Sequence, residues 1–442
     1  MRKKLKPVPK TNPIDIASEN LYFDGKYFWH RHATQRWEYL SVDSAGRLLR
    51  VTYRLSGRRP KNLASQIDLV LRKVENDHRI AAGAPFVHDA RDLITYRGEV
   101  YLNTSTVKPI SPADSGDPAK FPWLHNYFNK IWAEPTEKQR NHYLAWFQHF
   151  YGSALNGRML AGQHVVDAGP TGQGKTCTSR RIVGDALGGY ASAANFLKGQ
   201  TVFNHECARF AVWTMDDEDG TFTWEQRMTF SNSLKSSAAN QEVRCEPKFM
   251  NAFTIPWFGR VYLTCNVDVR SLHILPDMRG GIADKIMLFR RGDWKPEFLD
   301  RDANEQRIKD ELPYFLRWLL EWKPPAYVLS NEPRFKINPY HHPSLVGAAR
   351  ASASETRLQE MLHEWRENRA SIEPNCTLTE KWFTVTALRA ELSQEPSFRD
   401  ALREFSRDRM REALEELGTE HVIRTRIHNN TQQYLMNLRR PA

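Results

Sequence analysis

The sequence predicts an α/β protein: a nucleotide-binding core of parallel strands, a small α+β domain before it, and a small helical domain with a terminal hairpin after it. Three stretches carry that expectation. His164-Val-Val-Asp-Ala-Gly-Pro-Thr-Gly-Gln-Gly-Lys-Thr176 reads as a short apolar strand, a glycine-rich turn and a helix start, with Gly169, Gly174, Lys175 and Thr176 at the fixed positions of G-x-x-x-x-G-K-[ST]. Phe210-Ala-Val-Trp-Thr-Met-Asp216-Asp217-Glu218-Asp219 is a buried-type apolar strand ending in carboxylates. Val261-Tyr-Leu-Thr-Cys-Asn266 is a third apolar strand with a polar residue at its carboxyl end.

Each stretch has a chemistry. In the loop the glycines let backbone N–H groups close around a β-phosphate at a helix N-terminus, and Gly169, Pro170, Thr171, Gly172, Gln173, Gly174, Lys175 and Thr176 are the expected nucleotide-binding residues. Lys175 reaches the β- and γ-phosphates, and the Thr176 hydroxyl is a ligand for Mg²⁺. The implied cofactors are therefore ATP and Mg²⁺. A P-loop ATPase also needs a carboxylate at the end of a neighbouring strand for the metal and a second for the attacking water. Asp216 is assigned to the metal and Asp217 to the water; the run equally admits a register one residue on, with Asp217 and Glu218. Ligands of open α/β sheets sit at the carboxyl ends of strands, where Asn266 is placed to meet the γ-phosphate or the water.

Composition bounds the rest. The 442 residues suffice for two or three domains. The net charge of +11 favours a polyanionic partner without establishing one. Five cysteines stand singly, with no C-x-x-C, which points to reduced thiols rather than a zinc site. No run of 18 apolar residues and no signal-peptide core is present, so the expectation is a soluble protein with no membrane partner. The basic start (Arg2, Lys3, Lys4, Lys6, Lys10) reads as a solvated tail or, alternatively, an arm that touches nucleic acid.

Residues 20–55 read as β-rich. Leu21-Tyr-Phe-Asp24-Gly25-Lys-Tyr-Phe28 places two aromatic runs around an Asp-Gly turn, a hairpin signal. Trp29, Trp37 and Tyr39 alternate with Arg31 and Arg36, as a small aromatic core with snorkelling arginines or as a stacking surface for single-stranded bases. Leu63, Ile67, Val70 and Val74 form the apolar stripe of a helix. Gly98–Leu102 reads as a strand, and 103–120, with three prolines, as a loop. Thr136 and Gln139 fit a capping box for a helix with Tyr143, Trp146, Phe147 and Phe150 on its apolar side. After the phosphate loop, a helix runs to about Leu187 and stops at Gly188-Gly189.

Further on, 309–322 is an amphipathic helix with Phe315, Trp318, Leu319 and Trp322, stopped by Pro324-Pro325. Residues 326–345 read as a proline-rich linker, and a helix spans Ser354 to Asn368. The end reads as three helices, Thr384–Leu392, Ser397–Arg403 and one capped by Ser406 that ends at Gly418, followed by a hairpin of Val422–Ile427 and Gln433–Leu438. On the third helix Met410, Leu414 and Leu417 face inward, and Arg407 and Arg411 lie one turn apart outside.

The order of phosphate loop, Asp-Asp strand and Thr-x-Asn strand resembles superfamily 3 helicases of the AAA+ class, the replicative helicases of viruses, phages and plasmids, most of all the helicase part of phage primase-helicase proteins. The resemblance covers 140–292 and includes Thr201-Val-Phe-Asn204, Glu246-Pro-Lys248-Phe and Asp284-Lys-Ile-Met-Leu-Phe289; 20–125 is more loosely similar to the small domain before such motors. It implies an ATP-hydrolysing motor in a homo-oligomeric ring, a hexamer by family expectation, with single-stranded or forked DNA in a central channel. It implies that Asn266 is a sensor of the γ-phosphate and that Ser233–Phe258 holds a DNA-gripping hairpin and its flanks, with Lys248 at the tip and Arg244 beside it. It also implies an arginine reaching the neighbouring subunit's ATP. Arg279 in Pro276-Asp-Met-Arg279-Gly-Gly is the candidate, with Lys285 and Arg290 as alternatives, because the commoner double-arginine pattern is missing here.

The C-terminal segment resembles a winged helix-turn-helix, whose third helix enters the major groove in DNA-binding examples. Residues 377–442 hold 11 Lys and Arg against 10 Asp and Glu, so protein docking is the other reading. The expected organisation is an accessory domain over 1–130, an AAA+ ATPase over 131–325, a linker over 326–350 and a winged-helix-like domain over 351–442. The expected setting is replication of a phage or other mobile element in the cytoplasm of a bacterial host. With no acidic triad or zinc ribbon in 1–130, any primase is expected to be a separate partner. Two alternatives stand beside the motor: an ATP-switched origin-binding or regulatory protein, and an RNA-directed motor.

Overall fold

Five parallel strands make the centre of the fold. In the computed structural model the described residues are 12–32, 37–61, 63–216, 224–240, 242–246, 252–272, 274–275, 278, 281–298, 300–332, 334–372, 382–399, 402, 405–419, 423–429 and 431–435. Before the core, β1 (Leu21–Phe23), β2 (Phe28–Arg31) and β3 (Trp37–Leu40) form one antiparallel sheet. A second sheet sets β4 (Ala82–Ala84) parallel and β5 (Leu93–Tyr96) antiparallel to β6 (Glu99–Asn103). The Asp24-Gly25 turn forms, with Gly25 at φ +92° and Asp24 Oδ1 accepting from the Lys26 and Tyr27 amides.

The β reading of 20–55 stops short, because Val42–Thr52 is a helix capped by Ser41, with Ala45 and Leu49 inward. The helix Gln66–Asp77 buries Ile67, Val70 and Val74, whereas Leu63 lies before it and is exposed. Its capping box is made by Ser65 and Asp68.

The central sheet comprises β7 (His164–Ala168), β8 (Tyr190–Ser192), β9 (Val212–Met215), β12 (Arg260–Cys265) and β13 (Ile286–Arg290), in the order β13-β7-β12-β9-β8. β7, β9 and β12 are mostly apolar and buried along their whole length because both faces of the sheet are covered. One face packs on an aromatic layer built from Pro122–Lys130, Thr136–Leu155 and Arg301–Glu321. The stretch Pro122–Lys130, which the expected boundaries put in the N-terminal domain, is a helix whose Leu124, Tyr127 and Phe128 are buried in the core around the parallel sheet. The second N-terminal sheet joins the core on the other face through Phe86, Ile94 and Tyr101.

The capping box at Thr136 does not form. Pro135 is the N-cap, and Thr136 Oγ1 donates instead to the Trp132 carbonyl at 3.3 Å. Gln139 has a better use: its amide donates to the carbonyls of Ala133 and Arg290 and accepts from the Arg290 N–H, pinning this helix to the edge strand β13.

Between β9 and β12 stand the helix Trp224–Asn240 and an antiparallel pair, β10 (Glu242–Cys245) and β11 (Phe253–Pro256). Within the expected segment Ser233–Phe258, the end of this helix is a flank and β10 and β11 are the described strands. Residues 326–342 are a packed strap rather than a free linker. His341 bridges to Leu288 in parallel, Leu288 N donates to Tyr340 O, and His342 N donates to Leu288 O, so the strap extends the sheet beyond β13. Apolar Phe335, Ile337 and Tyr340 are buried, which explains why this proline-rich stretch stays down.

The C-terminal unit has its own core, from Leu358 on the helix Pro343–Ile372 to Tyr434. It contains the helices Val385–Leu392, capped by Thr384, and Arg407–Thr419. A small sheet follows, of β14 (Trp382–Phe383), β15 (Arg424–His428) and β16 (Thr431–Leu435), in the order β14-β16-β15. The helix expected over Ser397–Arg403 lies partly outside the described residues.

Candidate nucleotide site

The glycine-rich loop leaves the carboxyl end of β7, between β13 and β12. Gly172 and Gly174 take φ of +82° and +74°, a conformation that other residues reach only with strain. Gly169 is needed for space: a Cβ there would lie 2.7 Å from Arg291 Cβ. The Gly169 N–H donates to Cys265 O, tying the loop to the end of β12. The helix behind it starts at Lys175 and widens to π geometry over Cys177–Gly184. Thr176 sits in its first turn with its side chain exposed.

Lys175 is the hub. Its ammonium donates to Gly169 O at 2.6 Å, to Pro170 O at 3.1 Å and to Asn266 Oδ1 at 2.9 Å. Thr171 Oγ1 also lies 3.4 Å from Asn266 Oδ1. The loop lysine and the residue ending the third strand, 91 positions apart, are thus in direct contact. Asp216, just past β9, accepts from Thr264 Oγ1 of the adjacent β12 at 3.2 Å and from Arg180 Nη2.

These residues fit Mg-ATP. A nest of positive-φ glycines precedes a helix, an ammonium is held at its mouth, and the Asp216 carboxylate already carries a guanidinium cation. Among the described residues no three His, Cys, Asp or Glu side chains are grouped to hold a metal unaided. Mg²⁺ is commonly held by one or two carboxylates plus substrate phosphates, so Asp216 with Thr176 is a sufficient protein contribution.

A second layer lies behind the loop. Asp167, near the carboxyl end of β7, is fully buried, and Arg291 holds it bidentately through Nε at 2.7 Å and Nη2 at 2.5 Å. Arg291 also donates to Tyr127 Oη, to Thr178 Oγ1 and to the Gln173 carbonyl. The Tyr127 hydroxyl lies within 3.3 Å of the Gln173 and Gly174 carbonyls. Tyr262 donates to Asp167, and the Gln173 side chain donates to the Gly292 carbonyl. Burial pulls the Arg291 guanidinium towards deprotonation, but Asp167 outweighs it and holds the pKa well above the ordinary arginine value. Burial pushes the Tyr127 hydroxyl up to about 12, so it remains a donor. The network fixes the loop backbone from behind.

Sequence reasoning missed Tyr127, Arg180 and Arg291. One signal was readable: Asp167 is a charge inside an otherwise apolar strand, and such a charge requires a partner. Asn204 was quoted only as part of a motif. It is buried, donates to Arg244 O and accepts from the Glu246 N–H, fastening the start of the β10–β11 turn.

Of the other expected residues, Asp217, Lys248 and Arg279 lie outside the described residues. Arg244 is exposed on β10 and pairs with Glu246 at 2.9 Å. The alternatives to Arg279 both have partners within the chain. Lys285 is buried and bonds to Asp284 and the Gly281 carbonyl. Arg290 donates to Ser344 Oγ. Arg407 is exposed on its helix, and Arg411 lies within 4.0 Å of Asp408 and Glu415.

Residues 168–279 match a family of unknown function, DUF5906. That stretch contains every residue assigned above to nucleotide or metal. No curated protein matches the chain. Among solved structures, the apo structure of the NrS-1 C-terminal region superposes with a TM-score of 0.52 at 12% identity, covering 97% of this chain and 99% of that one. An A-form apo structure of the same region gives 0.51 at 13% identity, over 95% and 97%. The likeness is one of fold, and it runs through the N-terminal sheets, the parallel core and the C-terminal unit together. A JCV helicase with a bound small molecule overlaps at a TM-score of 0.24 and 15% identity, over 49% of this chain and 64% of the other, too slightly to bear on the fold. No described helix is long and apolar enough to cross a membrane.

Proposed function

We propose that this chain is an ATP-driven nucleic-acid motor of the helicase type, serving replication of a phage or other mobile element in the cytoplasm of its host. The supporting observation is the meeting of three strand ends. The loop after β7, Asp216 after β9 and Asn266 after β12 share one edge of a parallel sheet, and Lys175 bonds directly to Asn266. Mg-ATP, when bound, supplies the phosphoanhydride that is cleaved. The chain does the positioning: the loop amides and Lys175 bind phosphate oxygens, Thr176 and Asp216 hold the metal, and Asp217 orients the attacking water. Asn266, already in contact with the loop lysine, reports the γ-phosphate to β12.

The motor reading assigns Arg279 to the ATP of the adjacent subunit in a homo-oligomeric ring, a hexamer. It assigns Lys248, which falls between β10 and β11 in the sequence, and Arg244 on β10 to the DNA strand in the channel. Arg407 and Arg411 are assigned to duplex DNA beside the motor. Primer synthesis falls to a separate partner.

ATP hydrolysis with and without single-stranded DNA, measured for the wild type and Lys175→Ala, tests this. Stimulation by the strand, lost in the variant, is expected. Hydrolysis indifferent to single strands, together with tight binding to one duplex site, would replace the motor with an origin-binding or regulatory switch.

A further inference from the structure

The carboxylate assigned to the metal already has a cation on it, and that cation is held in a way that lets it leave. Arg180 follows Thr176 by four residues on the loop helix, so the two side chains emerge on the same side, within about one turn. Its Nη2 donates to Asp216 Oδ2, while Thr264 Oγ1 donates to the other carboxylate oxygen. The rest of the guanidinium is poorly served. Nε is buried without a partner, and the group lies over the Tyr190 ring with Cζ 5.3 Å from the centroid.

Arg291 in the same core shows what a permanent brace looks like. It grips Asp167 with two donors, and both side chains are fully buried. Arg180 offers Asp216 one donor, and the pair stays 34% and 22% exposed. A brace and a removable counter-ion differ in those respects: fork geometry, satisfaction of Nε, and access to water.

We propose that Arg180 is a releasable counter-ion that occupies the cation position at Asp216 and competes with Mg²⁺ for it. Two cations in contact with one carboxylate repel, so the metal binds Asp216 only as the guanidinium withdraws. Arg180 therefore keeps affinity for free Mg²⁺ low, and the negative charge that arrives with the nucleotide phosphates tips the exchange. Metal and nucleotide binding are thereby coupled through one side chain. The inference rests on the Mg-ATP reading of the site.

The test is Mg²⁺-dependent binding of a fluorescent, non-hydrolysable ATP analogue to the full chain, followed by anisotropy while MgCl₂ is titrated. Arg180→Gln should lower the half-saturating Mg²⁺ concentration about tenfold, the equivalent of ~1.4 kcal/mol. Arg180→Lys, which keeps the charge without the guanidinium fork, should fall between the two. In an Asp216→Asn background the Arg180 substitution should shift nothing, because the competition has lost its object. Urea midpoints of the same variants separate folding from binding, and Arg180→Lys carries the test where the glutamine variant unfolds. A half-saturating Mg²⁺ concentration that is unchanged or raised in a folded Arg180 variant overturns the proposal. If instead the wild type binds no nucleotide at any Mg²⁺ concentration and Lys175→Ala is no different, the Mg-ATP reading itself has failed.

Discussion

Asp167 shows how much of this site depends on residues that would never touch nucleotide. Its carboxylate, Arg291 and Tyr127 set the carbonyls of Gln173 and Gly174, and those carbonyls set the loop. Breaking a buried pair leaves an uncompensated charge, at a cost of about 3–5 kcal/mol. Asp167→Asn should therefore lower the unfolding free energy measured by urea denaturation by that amount, and weaken nucleotide binding as well. Replacing both partners, as Asp167→Leu with Arg291→Met, should recover most of the stability without the binding, because an apolar pair packs but cannot hold the Gln173 carbonyl.

Histidines give a pH signature at the same scale. Burial holds His164 down at about 3, and its nitrogens are taken by Ser237 Oγ and the Val261 N–H. Burial also holds His149 and His88 at about 4. Folded, these rings stay neutral, whereas the unfolded chain binds protons below about 6.5. The unfolded state then carries more protons, so stability is complete above that pH and falls steadily as pH drops towards 3–4, with a slope of up to about 1.4 kcal/mol per unit for each ring. Denaturant midpoints between pH 7 and 5 measure it; a flat profile would contradict the buried neutral state. The phosphate loop was legible in the sequence because its chemistry is written in consecutive residues. Arg291 was not, because it and Asp167 are 124 positions apart and nothing local marks it as a partner.

Two glycines on different elements should respond oppositely to alanine. Gly174 has φ +74°, and a Cβ would meet the Phe298 ring at 2.5 Å. Gly174→Ala should therefore lose nucleotide binding and about 1–3 kcal/mol of stability. Gly347 lies exposed inside Pro343–Ile372 with open space where a Cβ would go, so Gly347→Ala should stabilise by about 0.5–1 kcal/mol and leave binding unchanged. Thermal melts and nucleotide titrations of the two variants measure both effects. Elements were readable where one signal ruled. The strands β7, β9 and β12 and the first hairpin declare themselves by apolar runs and turn residues. Val42–Thr52 did not, because aromatic neighbours suggested sheet and only Ala45 and Leu49 mark its inward stripe. The strap over 326–342 looked like a linker because prolines describe the backbone locally, while its hold comes from Leu288 on another element.

At the scale of the whole molecule, one helix belongs to two cores. Pro343–Ile372 buries Leu345 and Ala349 in the core around the parallel sheet. Further along it buries Leu358, Met361, Leu362 and Trp365 in the C-terminal core. At ~1.5 Å per residue the 30-residue helix is about 45 Å long, long enough to join the two as a continuous rod rather than a flexible tether. The consequence is an asymmetry between truncations. A chain ending after residue 350 keeps Leu345 and Ala349 and removes the second core entirely, so it should stay monodisperse and bind nucleotide as the full chain does. A chain ending after residue 381 keeps the 358-361-362-365 stripe but removes the Val385–Leu392 and Arg407–Thr419 helices that cover it. That stripe, at helical spacing and including a tryptophan, is then bare apolar surface. The longer fragment should therefore be the less soluble of the two and elute as an aggregate on size exclusion. If both fragments behave alike, the two cores are not independent cooperative units and the helix is not a rod between them.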